Sequence, residues 1–540
     1  MPNSPIPGFA TAEGTSRFKD RFPELSGKFN RLGKTELLCS PVGFGTYRCD
    51  IRVAEHAAAL KKALRMGVNL IDTSANYAGG NAERLIGEVL GTLTPNPSPG
   101  VPGEGSFRRD EIIVVSKGGY IQGENYERIS KMADSDDADI SPGSEMSEIV
   151  RYGSGLWHSI HPDFLKDQIT RSLERMNLQT IDVYLLHNPE YYIQWAIKDG
   201  IPEDEARETY EARIQKAFAY LETEVQGGRI QWYGISSNTF GKSEDSIDRT
   251  ALERIWKSSS DTPVRAGGNR EQPPERTGVS VPLNHFAVIQ LPLNLYERGG
   301  LLEKNQEKST KSVIEFAQEK NLGVLINRPL NAFGNNTLIR LADYPVLEFP
   351  PVQEISDLVH DLKLQEEEFK NGQLKDISLN PQAYDAVKKL LAVGEWLDGK
   401  WEHLPSFEEW RDLLYTVIKP RIQYAFDLLQ DTMKANPEVF DALQDYAEAI
   451  DVAMEHITNF YMAKAHDRSA AIHQALGEIL PTGYNELSLS QKSILMLRSV
   501  KSISSVLVGM RSDDYVDDVI FGLQAKNIEG AEEMWQRLEL

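Results

Sequence analysis

Four side chains of this chain could do chemistry together. Asp72 and Tyr77 lie in 71-IDTSANY-77, Lys117 in VVSKGG, and His187 in YLLHNPE. A phenol titrates near ~10, too high to move protons easily at neutral pH. A neighbouring ammonium favours the phenolate, so Lys117 is expected to pull the pKa of Tyr77 down. Asp72 would keep Lys117 charged and oriented. His187 could donate a hydrogen bond to a substrate oxygen and polarise a carbonyl. No nucleophile with an adjacent base stands out. A proton donor beside a polarised carbonyl still needs an electron source, and the side chains offer none, so a hydride cofactor is implied.

These residues need elements that bring them together. Eight short apolar runs, rich in β-branched residues and bounded by Gly, Pro, Ser or Asn, begin at 41, 69, 112, 182, 232, 287, 323 and 504. Largely unalternated runs are how strands buried on both faces read. Helical stripes lie between them, such as Ala57, Leu60, Ala63 and Leu64, or Leu165, Ile169, Leu173 and Met176. Another follows Asn81, a candidate N-cap. Repeated strand–helix alternation predicts an α/β chain folded as a (β/α)8 TIM barrel. A doubly wound sheet is the alternative, but no Gly-x-Gly-x-x-Gly follows the first strand. Asp72, Lys117 and His187 close consecutive strands, and strand ends converge on one barrel mouth.

The chain has 540 residues, more than the barrel requires. Residues 1–28 read as an irregular leader, with a short hairpin at 29–40. The barrel is assigned to 29–335 and 484–540, and 336–483 to an α-helical insertion after strand seven. Within it, Leu443, Tyr446, Ile450, Met454, Ile457 and Tyr461 keep helical spacing. Trp410, Leu413, Leu414 and Val417 form a second stripe, which Pro420 should kink or end. The acidic run Glu366-Glu367-Glu368 reads as a solvated helix face. A second insertion, 119–161, also follows a strand. The stretches 93–109 and 257–281 are rich in Pro, Gly and Ser and read as linker-like loops.

Asp+Glu outnumber Lys+Arg by 80 to 58, a net charge of −22. That balance repels phosphate backbones and anionic lipid, so neither nucleic acid nor a membrane is expected as partner. The only two cysteines, Cys39 and Cys49, fit a reducing compartment better than a disulfide scaffold. The start, MPNSPIPGFATAEG, lacks the pattern of a signal peptide. A cytoplasmic location is expected.

On these motifs the sequence resembles the aldo-keto reductase family. The stretches 31-RLGKTELLCSPVGFGTY-47, NLIDTSANYAGGNAERLIGEVL, SLERMNLQTIDVYLLHNPE and GRIQWYGISSNTF carry the likeness. The resemblance implies a (β/α)8 barrel that reduces aldehydes and ketones with NADP(H), without a metal. It makes Asp72, Tyr77, Lys117 and His187 the catalytic tetrad, with Tyr77 the general acid. It implies cofactor contacts from Gly45, Thr46, Asp72, Ser236, Ser237, Asn238 and Gln290. Ser237 stands where the family usually has Asn, and Asn238 could substitute. Where the family usually reads Tyr-Ser-Pro-Leu this chain has Asn327-Arg328-Pro329-Leu330, so the stacking aromatic is missing. Gly509, Met510 and Arg511 match the phosphate-binding end, where Arg511 could take a 2′-phosphate.

Other features carry less. Trp157-His158-Ser159-Ile160-His161 lacks a third nearby metal ligand, so no metal is assigned. Tyr47, Trp157, His158 and Tyr191 are candidates for lining the mouth around a small carbonyl or alcohol substrate. His456, His466 and His473 read as surface or packing residues. A different function remains open: a cofactor-binding regulatory or scaffold barrel whose helical insertion binds a protein partner.

Overall fold

The structure is a computed structural model that describes residues 4–92, 107–133, 139, 141, 143–261, 285–334, 337–346 and 348–540. Most of the two Pro/Gly/Ser-rich stretches lies outside the described residues. The chain divides into two compact units, Met1–Leu330 with Ser490–Leu538, and Asn331–Leu489 with Glu539–Leu540.

In the first unit all eight apolar runs are strands. They are β1 (Val42–Gly45), β2 (Leu70–Asp72), β3 (Ile113–Gly118), β4 (Ile181–His187), β5 (Ile230–Ser236), β6 (Phe286–Pro292), β7 (Gly323–Asn327) and β8 (Ser505–Val508). They close a parallel barrel in chain order, β8 pairing with β1. Every residue of β3 and β4 is buried, as their unalternated composition requires. Leu70, Ile113, Val115, Val183, Leu185, Val288, Leu325 and Leu507 share one buried cluster. Register sets the mouth: Gly45 lies opposite Asp72, Lys117 opposite Leu185, and Ser236 opposite both His187 and Gln290.

The leader is not irregular. Thr11 caps a helix, Ala12–Asp20, accepting a hydrogen bond from the Gly14 N–H. Ala10 enters the barrel cluster together with Leu32, Leu37 and Cys39. The last two belong to the segment that closes the expected hairpin, Asn30–Arg31 against Leu38–Cys39. The Ala10 N–H donates to Asp182 Oδ1 at 2.6 Å; Oδ2 accepts from Arg109 at 2.8 Å and the Val114 N–H at 2.7 Å. Asn81 is the first residue of its helix, Asn81–Gly91, and Gly80 at φ +88° is the cap.

The 119–161 insertion builds a helix, Glu124–Ala133, and a three-stranded antiparallel sheet. Leu156–His158 is its central strand, between Tyr120–Ile121 and Val150–Gly153.

The second unit is mostly helical but opens on a hairpin, Asn331–Gly334 against Thr337–Arg340. The expected stripe from Leu443 to Tyr461 is buried along one long helix, Pro437–Ile479. Pro420 does not end its helix. A π-helical turn, Leu414–Ile418, runs directly into Lys419–Ala435, so the helix continues through Pro420 with a local π distortion just before it, where the proline removes a backbone N–H. Glu366 is not on a solvated face. It is buried, accepting from the N–H groups of Gly394 (2.7 Å) and Glu395 (3.1 Å) at a helix start, and from the Tyr446 hydroxyl (2.7 Å).

Among the described residues no helix is long and apolar enough to cross a membrane, and no cluster of three or more His, Cys, Asp or Glu could hold a metal ion.

Asp182→Ala would leave the buried Arg109 guanidinium and two backbone N–H groups without their carboxylate. The expected loss is about 3–5 kcal/mol, read from urea unfolding.

Candidate active site

Lys117 sits at the C-terminal end of β3 with no exposed surface. Its ammonium donates to Asp72 Oδ2 at 2.7 Å, to the Thr73 carbonyl at 2.8 Å and to the Tyr77 hydroxyl at 3.3 Å. All three N–H bonds are thereby used. Asp72 turns its other oxygen to Gln290 Nε2 at 2.7 Å, while Gln290 Oε1 accepts from Ser236 Oγ at 3.0 Å. The Thr46 N–H and hydroxyl both donate to the Asp72 carbonyl, at 3.0 and 2.9 Å. These contacts tie β1, β2, β3, β5 and β6 into one polar network across the mouth.

His187 ends β4. Its Nδ1 lies 2.9 Å from Ser74 Oγ, and its carbonyl accepts from His158 Nε2 at 2.7 Å. The second contact needs a glycine beside it: a Cβ on Gly119 would fall 2.6 Å from both His158 Nε2 and the His187 carbonyl oxygen. The Tyr120 ring meets the His187 ring edge-on at 4.6 Å, and Tyr77 at 6.0 Å.

Burial opposes the Lys117 charge, but Asp72 and Tyr77 outweigh it and hold the ammonium above its ordinary pKa. Tyr77 departs from the expected direction. Burial pushes the phenol up by more than Lys117 draws it down. It therefore keeps its proton at neutral pH, and Lys117 acts on the phenolate only as that charge forms. Burial drives His187 well below its ordinary value, and Lys117 and His158 add to this. Burial likewise lowers His158 to about 4. Both imidazoles are neutral at physiological pH.

Several other expected residues face this mouth. Tyr47 is exposed and edge-on to Tyr77 at 5.2 Å. Tyr191 stacks on His158 and meets the Tyr120 ring at 5.4 Å. Trp157 does not line the mouth. Successive residues on a strand point to opposite faces, so while His158 reaches His187, Trp157 packs with Ile121, Ile129, Ile149 and Phe164.

Ser236 and Ser237 divide in the same way. The Ser236 hydroxyl joins Gln290, whereas the Ser237 hydroxyl is buried among Thr239 and Thr250. Asn238 is exposed, and its N–H donates to Glu190 Oε1 at 2.8 Å. Arg328, at φ +53°, pairs with Glu297. Pro329 is buried and Leu330 half-buried beyond it. Gly509 (exposed), Met510 (buried) and Arg511 (half-buried) lie between β8 and the helix Asp513–Gln524.

Four residues at the site escape a reading of the motifs: Ser74, Asn76, Tyr120 and Glu190. Ser74 and Asn76 lie inside 71-IDTSANY-77, where proximity to Tyr77 was the available signal. Burial pushes the Glu190 carboxyl up to about 7. Among the described residues Asn327 Oδ1 is a buried acceptor with no hydrogen-bond partner, while its Nδ2 lies 3.4 Å from Gln290 Oε1.

Residues 41–254 match the sequence model of the aldo/keto reductase family. Among curated proteins, the chain is 23% identical over 164 residues to the NADH-specific methylglyoxal reductase of Escherichia coli (strain K12), covering 29% of this chain and 40% of that protein. It is 32% identical over 110 residues to the L-galactose dehydrogenase of Arabidopsis thaliana, covering 19% and 31%. The chain thus spans less than half the length of either relative. Among solved structures, aldo-keto reductase AKR11C1 from Bacillus halodurans (holo form) aligns at 14% identity and TM-score 0.45, covering 94% of this chain and 95% of that one. A Klebsiella pneumoniae aldo/keto reductase in complex with NADP and acetate aligns at 19% and 0.31, covering 56% and 68%.

Because the folded chain keeps His158 and His187 neutral, these two rings bind protons below about 6.5 only in the unfolded chain, and together they outweigh the single proton that Glu190 takes up near 7 in the folded one. Stability is expected to fall with pH below that value, continuing for His158 to about 4. Urea midpoints from pH 8 to 5 measure this, and His158→Gln should flatten the slope.

Proposed function

We propose that this chain, whose residues 41–254 match the aldo/keto reductase sequence model, is an NADP(H)-dependent oxidoreductase that reduces an aldehyde or ketone to an alcohol. The observation that carries this reading is the division of the Lys117 ammonium among Asp72, the Thr73 carbonyl and the Tyr77 hydroxyl.

When bound, the dinucleotide supplies the hydride. The residues that would hold it are Gly45, Thr46, Ser236, Asn238, Gln290, Arg328, Pro329, Leu330, Gly509, Met510 and Arg511. The donor set fits a carboxamide: Asn327 Oδ1 is a buried acceptor in need of an N–H, beside the Gln290 and Ser236 side chains. Ser237 is left out of that set, because its hydroxyl is committed elsewhere.

Tyr77 gives its proton to the substrate oxygen as negative charge develops there. Phenolate and ammonium 3.3 Å apart attract by about 5 kcal/mol at an effective dielectric near 20, and this attraction grows only as the proton leaves. Neutral His187 steadies the same oxygen through an Nε2–H. Tyr47, Tyr120 and Tyr191 give the mouth aromatic walls. The substrate is best sought among small polar carbonyls, the class to which methylglyoxal belongs. No observation favours a partner-binding scaffold role for the helical unit.

Tyr77→Phe is expected to lower carbonyl reduction about 10²–10⁴-fold while NADPH binding, followed by fluorescence, persists. Unchanged turnover across a panel of aldehydes and ketones would reject the mechanism.

A further inference from the structure

The Nδ1 of His187 has one hydrogen-bond partner among the described residues, the hydroxyl of Ser74 at 2.9 Å. The other groups around the ring are committed elsewhere. The Lys117 N–H bonds are used, His158 addresses the His187 carbonyl, and the Tyr120 hydroxyl accepts from Asn188 at 2.8 Å and is hydrogen-bonded to Tyr191. Ser74 is buried and has a single proton to give. Its other acceptors are Asn76 Oδ1 at 2.7 Å and the Lys117 carbonyl at 3.3 Å. Asn76 in turn meets Gln122, Nδ2 to Oε1, at 3.0 Å.

This chain has two self-consistent directions. If Asn76 presents its oxygen, Ser74 donates to it. His187 Nδ1 must then carry the proton and donate to Ser74, which leaves Nε2 bare. If both amides turn, Gln122 donates to Asn76 and Asn76 donates to Ser74. The contacts are the same, because amide O and NH2 exchange places. The Ser74 proton is then free for Nδ1, and Nε2 carries the hydrogen. A neutral imidazole has only these two forms, and only the second can donate to a carbonyl oxygen.

We propose that Ser74, Asn76 and Gln122 form a positioning chain whose hydrogen-bond direction selects the tautomer of His187. The Nε2–H form is the one kept for reduction, a choice that rests on the oxidoreductase reading above. Ser74 acts through His187 and is a positioning residue.

The test is ¹⁵N NMR of the full chain labelled in its ten histidines, with His187→Gln assigning the signals. The wild type should show Nε2 protonated and Nδ1 bare. Asn76→Asp places an acceptor-only carboxylate beside Ser74, captures its proton and should exchange the character of the two nitrogens. Gln122→Glu should do the same from the far end of the chain, and keeps the test alive if the first variant fails to fold. Ser74→Ala should give a mixture of tautomers, and Ser74→Thr should restore the wild-type pattern. In both carboxylate variants kcat for carbonyl reduction should fall about 10–100-fold with little change in KM for NADPH. A wild type already protonated at Nδ1, or a His187 pattern unmoved by either carboxylate, overturns the proposal. The spectra need neither substrate nor cofactor. An exchange of tautomer in a protein that reduces no carbonyl would therefore support the chain and reject the reductase, and turnover without exchange would do the reverse.

Discussion

The site depends on one buried cation. An ammonium removed from water costs several kcal/mol unless its N–H bonds and its charge are answered. Lys117 meets that demand with a carboxylate, a backbone carbonyl and a phenol, each from the segment that closes β2 or follows it. The same demand orders the neighbours. Asp72 must face inward to pair with Lys117, and its second oxygen must be satisfied, which fixes Gln290 and through it Ser236. A structural requirement for charge balance thus produces a mouth in which a phenol, an imidazole and amide groups are held at defined distances.

The second constraint is backbone geometry around His187. The small sheet after β3 brings His158 against the His187 carbonyl, and the contact exists because residue 119 has no side chain. Ring contacts from Tyr120 and Tyr191 surround the same two histidines. Burial keeps both imidazoles neutral, so tautomer rather than charge becomes the variable that chemistry can use.

Polar groups buried away from the barrel follow the same rule. Glu366 is buried because a helix start offers it two backbone N–H groups and Tyr446 offers a hydroxyl. A run of three glutamates looks solvated in one dimension. The partners that make burial tolerable for the first of them lie 28 and 80 positions further along the chain.

The sequence by itself determined the barrel and the identity of its strand-end residues. Unalternated β-branched runs have few ways to be buried other than as parallel strands, and the residue closing each run is visible in the string. It also showed the long helical stripe through Tyr446 and Tyr461, whose period is local. What only the tertiary structure decided was direction and partnership. Ser236 and Ser237 are adjacent and chemically alike, yet the pleat sends one toward Gln290 and the other into a hydroxyl cluster. Trp157 and His158 divide for the same reason. The Tyr77 phenol was expected to be lowered by Lys117 and is raised instead, because burial is a property of everything packed around a group and no motif contains it. The leader reads as irregular because its helix is short, and what secures that segment is Asp182, far along the chain. Local pattern specifies which element forms; long-range packing specifies which face each side chain meets and what its proton costs.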